Sequence, residues 1–347
     1  MKKLFFLFFG LLTVGLLLAN FTPSYWGTQL YNEIEGEVIQ NEENSVTLRT
    51  KDGEEIKILK DQSTIADQNF EVGDQLVVQD WKDIGLNSYT LADYVRRPAI
   101  YILFALFIGT VVLVTGWQGI RSLLGLFFSF IILFKLLFPL MILGFDPVWT
   151  TIGGSLLMIP IMFYLSHGFN RKTSSAILGT FFALVVSGLL AGIFADLAHL
   201  SGLTDESAAF LNAQFGDFID FQKLLLAGIL ISMLGVLDDV SISQASVVHE
   251  LKISKKNISF WELYSHAMSG GKDHIGSMVN TLILVFAGAS LPMLIVFLID
   301  GYGVSSVLNY EFVAEEMVQT FSASIGLILT VPLTTLFASL AIRSHEK

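Results

Sequence analysis

Two adjacent carboxylates, Asp238 and Asp239, stand at the end of a long apolar run and could do chemistry inside a membrane. The run extends from Leu224 to Leu237, so a helix carries both acids about 20 Å below its outer end, in the inner third of a core about 30 Å thick. Helical spacing puts Asp239 on one face with three further polar residues: Ser243, Ser246 and Glu250. This stripe predicts a hydrated inner vestibule that descends to the cytoplasm.

Two other apolar segments place polar residues at the same depth. Asn280 and Thr281 come about one turn after the start of one segment, and three residues near Pro332 occupy the other: Thr330, Thr334 and Thr335. A helical proline frees a backbone carbonyl that can act as a ligand in a cavity. Oxygen ligands at one depth predict a site for an alkali or alkaline-earth cation, or for a proton. Alternatively, the acids lie at the headgroup boundary and the threonines donate hydrogen bonds within their own helix.

A cytoplasmic segment, residues 252–276, follows the acidic helix. Its run Phe260–Tyr264 is amphipathic, which predicts a helix lying on the membrane surface. Asp273 and His274 are candidate polar residues of a cytoplasmic loop that resembles a phosphate loop only superficially, because the Walker spacing and a preceding strand are missing. Four residues could in principle bind a metal, but their spacing matches no standard site, so the metal is left unknown: His249, Glu250, His266 and His274.

Composition and spacing exclude several classes of protein. The chain has 0 cysteines, which excludes disulfides, thiolate metal sites and a catalytic cysteine. The formal net charge is −11 and no basic patch suits nucleic acid. Adjacent Asp238 and Asp239 point about 100° apart on a helix, so they are poorly placed to share a proton as an aspartyl protease dyad does. We therefore expect neither an enzyme nor a nucleic-acid-binding protein, and we expect no cofactor.

The elements that must position these residues are long apolar helices. Hydrophobic residues make up 53% of the chain and charged residues 15%, against roughly 25% charged in soluble domains. The pattern predicts an α-helical polytopic membrane protein with about eight transmembrane helices. The first apolar run covers residues 4–19, and seven others follow: 99–117, 119–142, 147–166, 173–195, 222–242, 276–299 and 317–342.

The N-terminal third has a different character. The first run predicts an uncleaved anchor helix or a signal peptide, and the lack of a clean cleavage site favours the anchor. Period-two runs at 45–50 and 55–59, joined by the turn signal Lys51–Gly53, predict a small extracytoplasmic all-β domain, a barrel or a sandwich. We expect an N-terminal anchor over 1–23, the β domain over 24–95 and a seven-helix membrane domain over 96–347.

The distribution of positive charge predicts the orientation, because Lys and Arg are retained on the cytoplasmic side. With both termini cytoplasmic, the inner loops and helix ends hold Lys2, Lys3, Arg121, Arg171, Lys172, Lys252, Lys255, Lys256, Lys272, Arg343 and Lys347. The later outer loops hold mainly acids and only one lysine, Lys223. We therefore predict a multi-pass protein of a bacterial plasma membrane.

Four blocks of the membrane portion resemble the YibE/F-like family of bacterial multi-pass membrane proteins. They are Gly235–Ser246, which contains both acids, Lys272–Leu282, Gly288–Pro292 and Gly326–Thr335. Lys272 departs from the arginine expected there, although the charge is kept. The resemblance covers roughly residues 95–342 and implies a multi-pass bacterial membrane protein, but no substrate.

Two functions are predicted. The first is a permease for secondary transport of a small solute or cation, with Asp238 and Asp239 as charge-binding groups and a site completed by Ser243, Asn280, Thr281, Thr330, Thr334 and Thr335. The alternative is a non-transporting scaffold or regulatory subunit that acts through the β domain and the 252–276 segment. The expected partners are the lipid bilayer, the solute or cation, and a second copy of the chain or another membrane protein.

Overall fold

The computed structural model describes residues 32–63, 69–81, 89–216 and 218–343. The first apolar run, over which an anchor or signal is predicted, lies outside these residues. The chain divides into two compact units, one ending at Gly116 and one made mainly of the residues from Trp117 onward.

The first unit contains a five-stranded antiparallel sheet, which confirms the β character predicted for this region. The strands are β1 (Asn32–Asn41), β2 (Ser45–Thr50), β3 (Glu55–Leu59), β4 (Gln75–Asp80) and β5 (Tyr89–Tyr94). Their order in the sheet is β3-β2-β1-β4-β5. The turn predicted at Lys51–Gly53 joins β2 to β3, and Gly53 adopts a φ of +85°, which glycine tolerates without steric cost.

Alternate residues of these strands form one small apolar core. The fully buried side chains include Val38, Leu48, Leu76 and Leu91, from four different strands. A parallel bridge between Ser63 and Leu91 brings the segment after β3 to β5. This contact links the two ends of the sheet, so the unit is a partly closed five-stranded barrel rather than a sandwich.

Helix α1 (Arg97–Thr115) completes the first unit. Arg97 at its start forms an ion pair with Glu35 of β1. Arg96 lies 2.5 Å from Asp93, and this interaction holds the pKa of the Asp93 carboxyl below its usual range. No residue of α1 is buried, although the helix is long and apolar enough to cross a membrane. Lipid is the natural environment for such a helix.

The second unit is helical. Its elements are α2 (Trp117–Ile142), α3 (Pro147–His167), α4 (Arg171–Leu197), α5 (Glu206–Phe215), α6 (Phe221–Ser254), α7 (Phe260–Ala289), α8 (Leu291–Ile299), α9 (Val304–Val307) and α10 (Glu311–Arg343). With α1, six helices among the described residues could each cross a membrane, and α7 with α8 adds a seventh if the bent pair is one span. These are the seven runs predicted after residue 96.

The predicted span 276–299 and the predicted surface segment 252–276 need correction. The chain bends by 66° between α7 and α8, so 276–299 is not one straight helix. Pro292 lies in the first turn of α8, where proline starts a helix but cannot continue the previous one. The segment 252–276 is also not a separate surface helix, because α6 continues to Ser254 and α7 begins at Phe260.

Asp273 and His274 consequently lie inside α7, so the prediction that they belong to a cytoplasmic loop is wrong. The hydroxyl of Ser259 caps the start of α7 by accepting a hydrogen bond from the Glu262 amide. Leu263, Ala267 and Gly271, at helical spacing of four, are buried and hold this part of α7 against its neighbours. Apolar spacing thus makes this region a packed helix.

The centre of the second unit is the three-way contact of α4, α6 and α10. Close approach depends on two glycines: a Cβ on Gly179 would lie 2.0 Å from the Thr334 Oγ1, and one on Gly326 would lie 1.9 Å from the Ser187 Oγ. Helices without a water-driven force between them depend on such small residues for packing. A second apolar cluster, centred on Ile132, Leu137 and Met158, joins α2 and α3 to α6.

The two ends of this helical unit differ in charge. Arg121, Arg171, Lys172 and Lys252 lie at the end where α2 and α4 begin, which we call the basic end. The opposite end carries mostly acids, among them Asp146, Asp220 and Glu311, and we call it the acidic end.

Candidate functional site

Helix α6 carries the acids and touches different neighbours on its two sides. Asp220 caps its start by accepting a hydrogen bond from the Lys223 amide at 3.1 Å. Asp238 and Asp239 therefore lie about 25 Å along the helix axis from that end. Around the axis, one side of α6 meets α2 and α3, and another meets α4 and α10.

The side that meets α2 and α3 borders a pocket of about 240 Å³ near the basic end. We call it the acidic pocket, because Asp238 and Asp239 are its two carboxylates. Its other lining residues are Ser122 and Leu126 from α2, Met162, Phe163, Ser166 and His167 from α3, and Gly235 and Ile242 from α6. Polar oxygens and one imidazole therefore face the acids across a space that could hold a small guest.

The two acids differ in position. Asp239 is exposed, whereas Asp238 is half-buried. A second void of about 10 Å³, about the size of one water, separates Asp238 from Thr180 and Met158. No side chain among the described residues donates a hydrogen bond to either carboxylate. Two carboxylates that receive no hydrogen bond from the described side chains are available to a bound cation or a proton.

The side of α6 that meets α4 and α10 carries buried, paired hydroxyls, which we call the hydroxyl seam. The Thr180 Oγ1 lies 2.5 Å from the Ser241 Oγ, and the Ser241 hydroxyl donates to the backbone carbonyl of Asp238 at 2.9 Å. Deeper toward the basic end, the Gln244 amide donates to the Thr335 Oγ1 at 2.7 Å and to the Ala267 carbonyl at 3.0 Å. These bonds join α6 to α4, α7 and α10.

The predicted threonines belong to this seam and mostly bond within their own helix. Thr330 donates to the Gly326 carbonyl at 2.8 Å and Thr335 to the Val331 carbonyl at 2.7 Å. The Thr334 hydroxyl is buried against Gly179 with no hydrogen-bond partner among the described residues. Thr330 and Thr335 therefore fit the alternative prediction, in which the threonines donate hydrogen bonds within their own helix.

The structure does not bring all these predicted site residues together in one cavity. Asp238 and Asp239 open onto the acidic pocket, whereas Thr330, Thr334 and Thr335 are buried in the seam. Asn280 and Thr281 are exposed on α7, and the Thr281 hydroxyl donates to the Ser277 carbonyl at 3.0 Å. Ser243 is exposed as well, on a part of α6 that does not line the acidic pocket. Equal depth did not mean a shared cavity.

Sequence reasoning missed the partners that α2 and α3 supply. Ser122, Ser166 and His167 line the acidic pocket near the basic end. Their depth could have been estimated from the helix bounds in the same way as that of the acids. Gln244 and Ser241 were visible as polar residues beside the acids, but nothing in the spacing indicated that they face the protein interior.

A further pocket, of about 290 Å³, lies at the acidic end where α7 bends into α8. Its walls are almost wholly apolar, apart from three residues: Ser290, Glu316 and Thr320. One carboxylate oxygen of Glu316 and the Ser290 hydroxyl are buried without a partner among the described residues. The described residues contain no group of three His, Asp or Glu side chains that could hold a metal ion.

Long apolar helices around a polar interior define a helical membrane protein. The chain belongs to the YibE/F-like family: the family model described as YibE/F-like protein matches residues 103–344, which confirms the resemblance. No curated protein and no solved structure matches the chain. The four blocks that carry the resemblance fall on the acidic pocket, the exposed face of α7, the α7–α8 bend and the hydroxyl seam.

Proposed function

We propose that this protein is a membrane permease, which moves a small solute or cation by secondary transport through a site at the acidic pocket. One observation carries the proposal. Asp238 and Asp239 open onto a pocket of about 240 Å³ and receive no hydrogen bond from a described side chain. Ionisable residues within membrane helices are costly, and proteins keep them mainly along substrate, ion or proton pathways.

The size and lining of the acidic pocket favour a small guest. Its volume is below the range of roughly 300–1,000 Å³ common for drug-sized ligands. Two carboxylates and the hydroxyls of Ser122 and Ser166 offer hard oxygen ligands, which suit a cation, a proton or a small amine. Asp238 lies deeper than Asp239, so a cation would meet Asp239 first and Asp238 second.

The surroundings of the pocket suggest how it could change shape. On one side stands the α4–α6–α10 core with its buried hydroxyl seam, to which α3 contributes Ile159 and Phe163. On the other stands α2, which packs with α3 in a second apolar cluster. A shift of α2 against the core would widen or close the space beside Asp238. The void of about 10 Å³ between Asp238 and Thr180 is the point at which such a shift could extend the pocket inward.

The proposed orientation places the basic end in the cytoplasm of a bacterium. Arg121, Arg171, Lys172 and Lys252 at that end, with acids at the other, follow the positive-inside rule. Residues 24–95 then lie outside the plasma membrane and both termini lie inside. A reporter fused at Ser63 should be active only if it is an extracytoplasmic type, and an active cytoplasmic reporter there contradicts this topology.

The alternative function is a non-transporting scaffold or regulatory subunit. The feature that favours it is the exposed face of α7 and α8, where Leu284 is 71% and Leu298 is 80% exposed. Such a face could pack on lipid, on a second copy or on another membrane protein. The scaffold hypothesis predicts no flux through the purified chain alone.

Transport by the isolated protein separates the two functions. The full chain, reconstituted in liposomes, is given gradients of Na⁺, K⁺ and H⁺ in turn, with a voltage-sensitive and a pH-sensitive dye as readouts. We expect flux with at least one cation, and we expect Asp238→Asn and Asp239→Asn to reduce it at least tenfold, because the neutral amide cannot balance a cation's charge. Asp238→Asn should have the larger effect, since Asp238 is less accessible to water.

The matched control is Asp300→Asn, which removes an exposed carboxylate at the acidic end. It should retain flux within about a factor of two. Full activity of the Asp238→Asn/Asp239→Asn double variant contradicts the charge-based site. Absence of flux with every cation in the wild-type chain favours the scaffold.

A further inference from the structure

The pocket of about 290 Å³ at the acidic end lies where α7 bends into α8, beside the first turns of α10. We call it the apolar pocket, because most of its walls are aliphatic or aromatic. Three phenylalanines and two methionines line it: Phe286, Phe312, Phe321, Met293 and Met317. Its volume is close to the lower end of the roughly 300–1,000 Å³ common for small-molecule sites, so one small organic molecule fits.

Two polar atoms of the apolar pocket lack a hydrogen-bond partner among the described residues. They are the Glu316 Oε2 and the Ser290 Oγ, and both are buried. Ser290 is only 8% exposed, although its backbone is fully bonded: its amide donates to the Phe286 carbonyl and its carbonyl accepts from the Leu294 amide. Unpaired polar atoms in apolar surroundings are costly, so this pair is explained by a guest that donates hydrogen bonds.

Glu316 differs from the other two acids at the start of α10. The Ser201 amide donates to the Glu311 carboxylate, and the Thr204 hydroxyl donates to the Glu315 Oε2 at 2.5 Å. Those two acids therefore join α10 to the segment 201–204. Glu316 accepts no hydrogen bond from a described residue, and no Lys, Arg or His of the described chain lines the apolar pocket.

We propose that the apolar pocket binds a protonated amine with an apolar body. An ammonium group supplies a positive charge for the Glu316 carboxylate and N–H donors for both unpaired oxygens. The faces of the three phenylalanines attract a cation, and the methionines adapt to an irregular hydrocarbon. The charge and the walls thus select the two halves of one molecule.

Membrane lipids match the apolar pocket less well than a free amine. A hydrocarbon chain would fill the walls but leave the Glu316 and Ser290 oxygens unpaired, and a fatty acid would bring a second carboxylate beside Glu316. Phosphatidylethanolamine carries a primary ammonium, but its phosphate would lie close to the same carboxylate in apolar surroundings. A free lipophilic amine offers the positive charge without an accompanying anion.

The apolar pocket goes beyond the proposed transport site and shares no lining residue with the acidic pocket. The Asp238→Asn/Asp239→Asn double variant should therefore bind the amine within twofold of the wild type. Flux through the acidic pocket and amine binding in the apolar pocket can each fail without the other.

The test compares a cationic and a neutral probe of nearly the same shape. The full chain in nanodiscs of phosphatidylcholine, which has no primary amine, is dialysed against 1-adamantylamine or 1-adamantanol at neutral pH. Binding to empty nanodiscs is subtracted for each probe. We expect saturable binding of 1-adamantylamine, at least tenfold tighter than that of 1-adamantanol, because only the amine carries a charge for Glu316.

Variants decide whether Glu316 and Ser290 are responsible. Glu316→Gln should weaken 1-adamantylamine at least tenfold and leave 1-adamantanol within twofold, a split that a folding defect would not produce. Ser290→Ala removes one acceptor and should weaken the amine about threefold. Asp300→Asn, which removes an exposed acid at the same end outside the pocket, is the matched control and should change neither probe more than twofold.

A second lipid composition tests the lipid as occupant. Nanodiscs that contain phosphatidylethanolamine should leave the affinity for 1-adamantylamine within twofold. Competition by this lipid assigns the pocket to a headgroup and overturns the proposal. Equal affinities of the two probes, or equal weakening of the amine by Glu316→Gln and Asp300→Asn, overturn it as well, because the guest would then not be selected by the Glu316 charge.

Discussion

Polar groups on the two sides of α6 lie in different environments: one side is buried and hydrogen-bonded, and the other is open to a pocket. Toward α4 and α10, Ser241 and Gln244 are buried and hydrogen-bonded to neighbouring helices. Toward α2 and α3, Asp238 and Asp239 open onto a pocket and receive no bond from a described side chain. One helix thus combines a packed polar contact with an open charged one, within a few residues of sequence.

This difference separates structural from functional polarity. A hydroxyl or amide in a helix contact forms a hydrogen bond with the neighbouring helix, and this bond stabilises the packing of the two helices modestly. A carboxylate without such a partner gains nothing from packing, so its presence is explained better by a guest. Substitutions on the two sides of α6 should therefore differ in kind: seam variants should lose stability, and pocket variants should lose activity.

The largest expected loss of stability follows from filling the close contact between Gly179 of α4 and Thr334 of the seam. Gly179→Leu places a side chain where a Cβ alone would lie 2.0 Å from the Thr334 Oγ1 and 3.0 Å from its Cα. Because backbone must move, we expect destabilisation of about 3 kcal/mol or more, seen as a strongly lowered Tm in detergent. Gly228→Leu is the matched control on α6, where a Cβ meets nothing within 4 Å. Equal Tm values for the two variants contradict the tight contact.

A smaller loss is expected from removing the amide that links three helices. Gln244→Leu leaves the Thr335 hydroxyl and the Ala267 carbonyl without this donor. The expected cost is about 1–2 kcal/mol, measured as a lower Tm of the purified chain. Flux in liposomes, normalised to folded protein, should be kept. Loss of flux with unchanged Tm would instead place Gln244 in the transport site.

Asp238→Asn should have the opposite effect to Gln244→Leu, because stability should be kept and flux should be lost. The substitution removes a half-buried charge while keeping size, so the free energy of unfolding should stay within about 0.5 kcal/mol of the wild type or rise slightly. The same thermal unfolding assay applies, alongside the flux measurement described above. A Tm that falls as far as that of Gln244→Leu indicates that Asp238 is a structural group like those of the seam.

The smallest effect on stability and flux is expected at Asn280 and Thr281 of α7, which were predicted to share a site with Asp238 and Asp239. Asn280→Ala and Thr281→Val alter exposed side chains outside both pockets near Asp238. We expect stability within about 0.5 kcal/mol of the wild type and unchanged flux. Loss of flux in either variant would show that α7 approaches the acidic pocket during transport.

Much of the architecture could be predicted from periodicity. The alternation in residues 45–50 and 55–59 indicated the β2–β3 hairpin, and its register in the sheet follows from one buried face. The apolar runs indicated the seven helical segments after residue 96, to within a few residues for most ends. The bend at Ser290 and the packing of residues 260–276 were missed, because local pattern does not show which neighbours are available.

For the site, the depth of each polar residue in the membrane follows from the sequence alone, whereas the direction of its side chain depends on how the helices pack. A rise of about 1.5 Å per residue fixes how far Asp238 lies along α6, whatever surrounds the helix. Which way a side chain points is fixed by the rotation of the whole helix, and that rotation is set by the neighbours it packs against. The contacts of Ser241 with Thr180 and of Gln244 with Thr335 turn Asp238 toward α2 and α3. Residues at one depth were therefore divided between a pocket, a packed seam and an exposed face.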